Sequence, residues 1–172
     1  MVRIRLSAIL LLAVMLVMLP SCGNSPPPSE IVNALYENEL SPPPGVTLIS
    51  DAREGSPEYL SPELLRSAYG IDRTRIGIIS AAVRLSSFGS PCEFAVFFCN
   101  SRSAAEDVAL FCRGRIDSLI RNAAGASSFS GIPLSDYLDY LNNAAVIISG
   151  RYVALIISSD TAAAKRTLYK LL

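Results

Sequence analysis

AVIISGRYVALIISSD, Ala145 to Asp160, decides the fold. Two runs rich in β-branched and aliphatic residues, Ala145–Ser149 and Tyr152–Ser158, are split by Gly150 and Arg151. Gly at the first central position of a two-residue loop suits a type II′ turn, so the stretch reads as an antiparallel hairpin. Ser159 or Asp160 then caps a last helix, TAAAKRTLYKLL, whose Lys165, Arg166 and Lys170 complement its dipole. The run VALIIS does not alternate polar with apolar, so both of its sides are covered. Either the N-terminal helices or a partner supplies the second cover.

Working outward, Arg75–Leu85 (RIGIISAAVRL) and Glu93–Cys99 (EFAVFFC) read as a second pair of strands. The Ser-Phe-Gly-Ser-Pro stretch between them makes their loop. Ser103 to Glu106 matches a capping box, after which Val108, Cys112, Ile116, Leu119 and Ala123 recur at helical spacing to about Ala124. SDYLDYLNN adds a shorter helix from about Pro133.

Toward the N-terminus, EIVNALYENEL is a helix with Ser29 as its cap, ended by Ser41-Pro-Pro-Pro-Gly45. Val46 to Ser61 reads as loop with one short strand candidate at VTLIS, and SPELLRSAYG as a short helix closed by Gly70. The order α-α-β-β-α-α-β-β-α predicts an α+β domain: an antiparallel four-stranded sheet of two hairpins with helices packed mainly on one face.

The first residues carry an address rather than a fold. Arg3 and Arg5 precede LSAILLLAVMLVML, Leu6 to Leu19, fourteen residues without a charge. That length suits a signal peptide better than a spanning helix, which needs about 20 residues. Leu19-Pro-Ser-Cys22 has the apolar −3 and small −1 positions of a bacterial lipobox, with Pro20 in place of the small or β-branched residue usual between them. Two other readings stay open: cleavage after Gly23 with free secretion, and an uncleaved anchor. On the leading one, residues 1–21 are a lipoprotein signal peptide and Cys22 is the lipid attachment site. Residues 22–29 are then a Pro-rich tether and 30–172 a single domain. A thiol is the one strong nucleophile there to accept a diacylglyceryl group, and two chains anchor stably where one does not. The expected location is the outer face of the cytoplasmic membrane.

A chain of 172 residues allows one ordinary domain after such a leader. With Arg3 and Arg5 removed, 13 basic face 15 acidic residues, a net of −2, which speaks against a nucleic-acid binder. Histidine is absent, which removes the commonest general base and metal ligand. No P-loop, Gly-x-Gly-x-x-Gly or Gly-x-Ser-x-Gly occurs. The reading is therefore of a protein without catalytic residues, bound metal or cofactor.

YGID at Tyr69–Asp72, EFAVFF ahead of a long helix, AVIISGRYVALIISSD ahead of a terminal helix, and the lipobox together resemble a known group. They are similar to the small lipoproteins of Gram-positive anaerobes grouped as domain-of-unknown-function family 4358. The resemblance covers Glu30 onward and implies an envelope location and an α+β domain. It implies no activity, cofactor or catalytic residue.

Three constellations remain. Cys92, Cys99 and Cys112 fit no zinc spacing, and Cys92 and Cys99 stand an odd number apart on one strand, hence on opposite faces. Buried free thiols, a disulfide of Cys112 with one strand cysteine, and a reactive thiol are the alternatives, in that order. Asp136 and Asp139 share a helical face as a cation or acid–base pair, or lie in a solvated first turn. Arg113, Arg115 and Arg121, with Arg66, Arg73 and Arg75, form either an anion-facing patch or a mixed exposed face.

The functional expectation is a lipid-anchored, non-enzymatic module that binds an envelope partner, with Tyr69, Tyr137, Tyr140 and Tyr152 as its candidate surface. The alternative is a small-ligand carrier with a pocket between sheet and helices.

Overall fold

The computed structural model describes residues 25–39, 42–87, 90–123, 128–129 and 132–172. Along the chain run α1 (Pro28–Glu37), β1 (Gly45–Ile49), α2 (Pro62–Tyr69), α3 (Arg73–Ile76), β2 (Ile78–Ser86) and β3 (Glu93–Cys99). Then follow α4 (Arg102–Ala123), the two-residue strands β4 (Ser128–Phe129) and β5 (Ile132–Pro133), and α5 (Leu134–Asn142). β6 (Ala145–Ser149), β7 (Tyr152–Ile157) and α6 (Thr161–Leu171) complete the described fold.

The main sheet has five strands in the order β1-β2-β3-β7-β6, every neighbour antiparallel. This corrects the four-stranded expectation: the short VTLIS candidate extends the sheet at the β2 edge, with Gly45 opposite Ser86 and Ile49 opposite Ala82. A Cβ on Gly45 would lie 2.2 Å from the Leu85 carbonyl oxygen, so the backbones meet closely there only because the residue is glycine. β2 also begins later than expected. Asp72 caps a single helical turn, α3, and Gly77 at φ +75° turns the chain into Ile78. The β6–β7 hairpin pairs Ser149 with Tyr152, leaving Gly150, at φ +57°, and Arg151 as its turn.

Helices cover both faces, not mainly one. Ala81, Val83, Ala95, Phe97, Val153 and Leu155 face the layer made by α2, α4 and α5. Ala82, Phe94, Val96, Ala154 and Ile156 face Ile31, Val32 and Leu35 of α1 with Ala164 and Leu168 of α6. Two covered faces explain why EFAVFFC and VALII are apolar at successive positions. Phe94 and Phe97 are each fully buried, on opposite sides, and each contributes about 1.5–3 kcal/mol of transfer free energy.

Caps set the helix ends. Ser61 accepts the Leu64 N–H, Asp160 accepts the Ala163 N–H, and Gly70 closes α2 at φ +72°. The start of α4 differs from the capping-box expectation: Ser101 Oγ, two residues upstream of Ser103, accepts the Ala104 N–H at 3.1 Å. α1 begins at Pro28, capped by Pro27, because proline's fixed φ suits the first helical position. Pro28 and Ser29, read from sequence as tether, are thus its first residues.

Candidate functional site

A buried ion pair lies at the end of the sheet where β3 begins. Glu93 opens β3 and shares the inward parity of Ala95, Phe97 and Cys99; it is 4% exposed. Its Oε1 accepts the Tyr69 hydroxyl at 2.6 Å and its Oε2 accepts Arg115 Nη2 at 3.0 Å. Tyr69 ends α2 and stands edge-on to Phe97, with ring centroids 5.6 Å apart. The Arg115 guanidinium carbon is 5.7 Å from the Tyr69 ring centroid.

Burial, then the Glu93 charge, pushes the Tyr69 hydroxyl well above its ordinary range. Tyr137 on α5 is raised by burial, with Arg115 opposing and Glu93 adding to the rise. Burial disfavours the Arg115 cation, but the charge and hydrogen bond of Glu93 outweigh it and raise its pKa. Arg115 Nε is buried without a partner.

Arg115 borders two clefts that open to solvent. One, of about 230 Å³, is lined by Ser86, Ser90, Cys92, Glu93 and Tyr137. The other, of about 340 Å³, runs between α2 and α4 past Arg66, Gly70, Leu110, Phe111 and Gly114. Leu110 is 62% exposed there, and a Cβ on Gly114 would meet only open space.

The other nominated residues lie apart. Tyr69, Tyr137 and Tyr152 are buried and Tyr140 is half-buried, so the four do not share one exposed patch. Tyr152 packs on the α1–α6 face, where its hydroxyl donates to the Pro26 carbonyl at 2.8 Å. Tyr140 lines a cleft of about 290 Å³ with Asp136, Asp139, Asn143, Ser158 and Ser159. Beside it Glu39, 8% exposed, accepts from Ser158 Oγ, the Ser159 backbone N–H at 3.1 Å and Ser159 Oγ. Asp136 and Asp139 are exposed, and no group of three potential metal ligands occurs among the described residues. The arginines disperse: Arg66 pairs with Asp72 and Arg73 with Asp51, while Arg115 turns inward.

Cys92, Cys99 and Cys112 are free and buried. Burial raises Cys99 to about 11; burial with Glu39 and Glu93 raises Cys92 to about 12; burial, then Glu93, raises Cys112 further still. Such thiols are held protonated at neutral pH and are poor nucleophiles. Cys22 lies outside the described residues, and no described helix is long and apolar enough to cross a membrane.

Sequence reasoning missed Glu93, Arg115 as its partner, and Glu39. For Glu93 a signal existed: one acid heading an apolar strand, in phase with its inward residues. Comparison with known proteins adds no constraint: no family model, no curated protein and no solved structure matches the chain.

Proposed function

We propose that the chain is a lipid-anchored, extracytoplasmic, non-enzymatic domain that binds a protein partner of the cell envelope. The observation that carries this reading is the spacing at the N-terminus: a charge-free apolar run, then Cys22, then a folded domain whose first fixed point is Pro26. A domain beginning so soon after an acylated cysteine sits at the bilayer surface. The groove of Leu110, Phe111 and Gly114 between α2 and α4 favours a protein partner, since an exposed leucine beside an open glycine leaves apolar area uncovered. Both faces of the sheet are covered by helices, so the partner's surface is sought there rather than on a sheet face. The resemblance to family 4358 agrees with the envelope location and adds no activity.

Affinity capture from envelope extracts with the wild-type protein and Leu110→Asp tests this. A partner held by the wild type and lost from the equally folded variant supports it; identical captures contradict it.

One observation favours a second reading, a small-ligand carrier. Arg115 keeps an unpartnered Nε beside the 230 Å³ cleft, which suits a small ligand bearing an acceptor group. The sheet–helix interior itself is filled by side chains such as Phe97, Leu141 and Leu155, so a ligand would sit at the layer's end. A screen of small carboxylates by thermal shift, with Arg115→Met as control, decides whether that cleft binds.

A further inference from the structure

Pro26 is fixed against the first residue of β7 by the Tyr152 hydroxyl, and α1 begins two residues later. Around this point lies a cleft of about 480 Å³ formed by Phe98, Gly150, Arg151, Tyr152, Leu171 and Leu172 together with Ser25 and Pro26. Three peptide units separate Ser25 from Cys22, a reach of at most about 10 Å even fully extended. A lipid on Cys22 therefore cannot lie far from this end of the domain.

The charges are placed unequally along the same axis. At the cleft, Arg151 is exposed and its guanidinium carbon stands 4.4 Å from the Phe98 ring centroid. Lys170 is exposed in the last turn of α6, beside Leu171 and Leu172 of the cleft wall. Glu30, in the first turn of α1, is the carboxylate of that helix nearest the chain's entry. β7 then leads away, and the chain from Tyr152 runs about 20 Å to Ser158, where Glu39, Asp136 and Asp139 gather. At the tethered end Arg151 and Lys170 outnumber Glu30, beside an amphipathic rim, whereas at the far end Glu39, Asp136, Asp139 and Asp160 outnumber Lys165.

We propose that the β6–β7 turn, Phe98 and the C-terminal turn of α6 form a bilayer-docking surface, with Arg151 and Lys170 against anionic lipid headgroups and Phe98, Leu171 and Leu172 at the interface. The proposal rests on the anchoring read above and specifies which way the anchored domain faces. Short chain length enforces proximity, and the excess of cations at one end against the excess of carboxylates at the other selects orientation, since anionic headgroups attract cations within about one Debye length, roughly 8–10 Å. An aromatic ring carrying a cation suits the headgroup level, where one side is apolar and the other wet.

The test uses the full acylated protein in vesicles of phosphatidylglycerol and phosphatidylcholine. A fluorophore is placed at Ser149→Cys, on the cleft, or at Asp139→Cys, at the far end. The buried native thiols, held protonated, stay unlabelled. Headgroup-depth nitroxide lipid is expected to quench the Ser149 label several-fold more than the Asp139 label. Arg151→Glu with Lys170→Glu is expected to erase that difference without detaching the protein. Equal quenching at both positions, or stronger quenching at Asp139, in protein whose mass carries diacylglyceryl overturns the proposal and leaves the anchor standing. A mass without diacylglyceryl overturns the anchor, and the proposal with it. A Ser149 label already shielded from a water-soluble quencher in detergent assigns this end to a second copy and likewise overturns it.

Discussion

Glu93 holds two hydrogen bonds on a carboxylate almost wholly out of water, so each partner there is costly to remove alone. Glu93→Leu leaves the inward Arg115 unpaired and is expected to cost about 3 kcal/mol in urea unfolding. Adding Arg115→Met should recover most of that loss, because an apolar pair of similar volume replaces the ions. A double variant as unstable as the single would show that the pair is not coupled.

The thiols predict an alkaline limit. Below 9.0 both folded and unfolded chains keep them protonated; above it the unfolded chain loses protons that the folded chain retains. Stability therefore falls as pH rises from 9.0 and continues to fall until Cys99 and Cys92 titrate, at about 11 and about 12. Urea midpoints across that window should decline less steeply for Cys99→Ala than for the wild type. At this scale the sequence was half legible. Opposite faces for Cys92 and Cys99 followed from strand parity, whereas the tyrosines read as surface because the partners that bury them, Glu93 and Pro26, are distant in sequence.

At the scale of elements, two devices join the ends of the chain to the sheet. Glu39 ties the segment after α1 to the residues before α6, across 119 positions. Glu39→Ala strands the Ser158 hydroxyl and is expected to cost about 1–3 kcal/mol, with amide exchange accelerating first in α1. Unchanged α1 protection would remove that role. Gly45→Ala drives a Cβ into the Leu85 carbonyl and should cost about 1–3 kcal/mol, loosening β1 from the edge. Wild-type stability would show that the strand can shift outward freely. Both antiparallel pairs, β2–β3 and β6–β7, and all the longer helices were readable from periodicity, as was the Gly150-Arg151 turn; Phe88 and Gly89 of the expected β2–β3 loop lie outside the described residues. β1 was legible as a short strand candidate but not as part of the sheet, because GVTLI is a five-residue edge strand after a proline-rich segment and its partners are remote, Gly45 facing Ser86 and Ile49 facing Ala82. The α4 cap was misplaced for a local reason: Ser101 and Ser103 both fit a cap, and only the backbone entering from β3 selects between them.

Across the whole molecule, α1 and α6 close the face that a four-stranded reading leaves open, so the domain completes its own core without a partner on its sheet. What remains for function is its ends and flank: the tethered end at Tyr152 and Pro26, the acidic end at Asp136 and Asp139, and the α2–α4 groove. Intact mass of the protein recovered from membranes is the most direct measurement. The expected species is a chain beginning at Cys22 and carrying a diacylglyceryl group. A chain beginning at Asn24 without lipid, or one retaining residues 1–21, would contradict it.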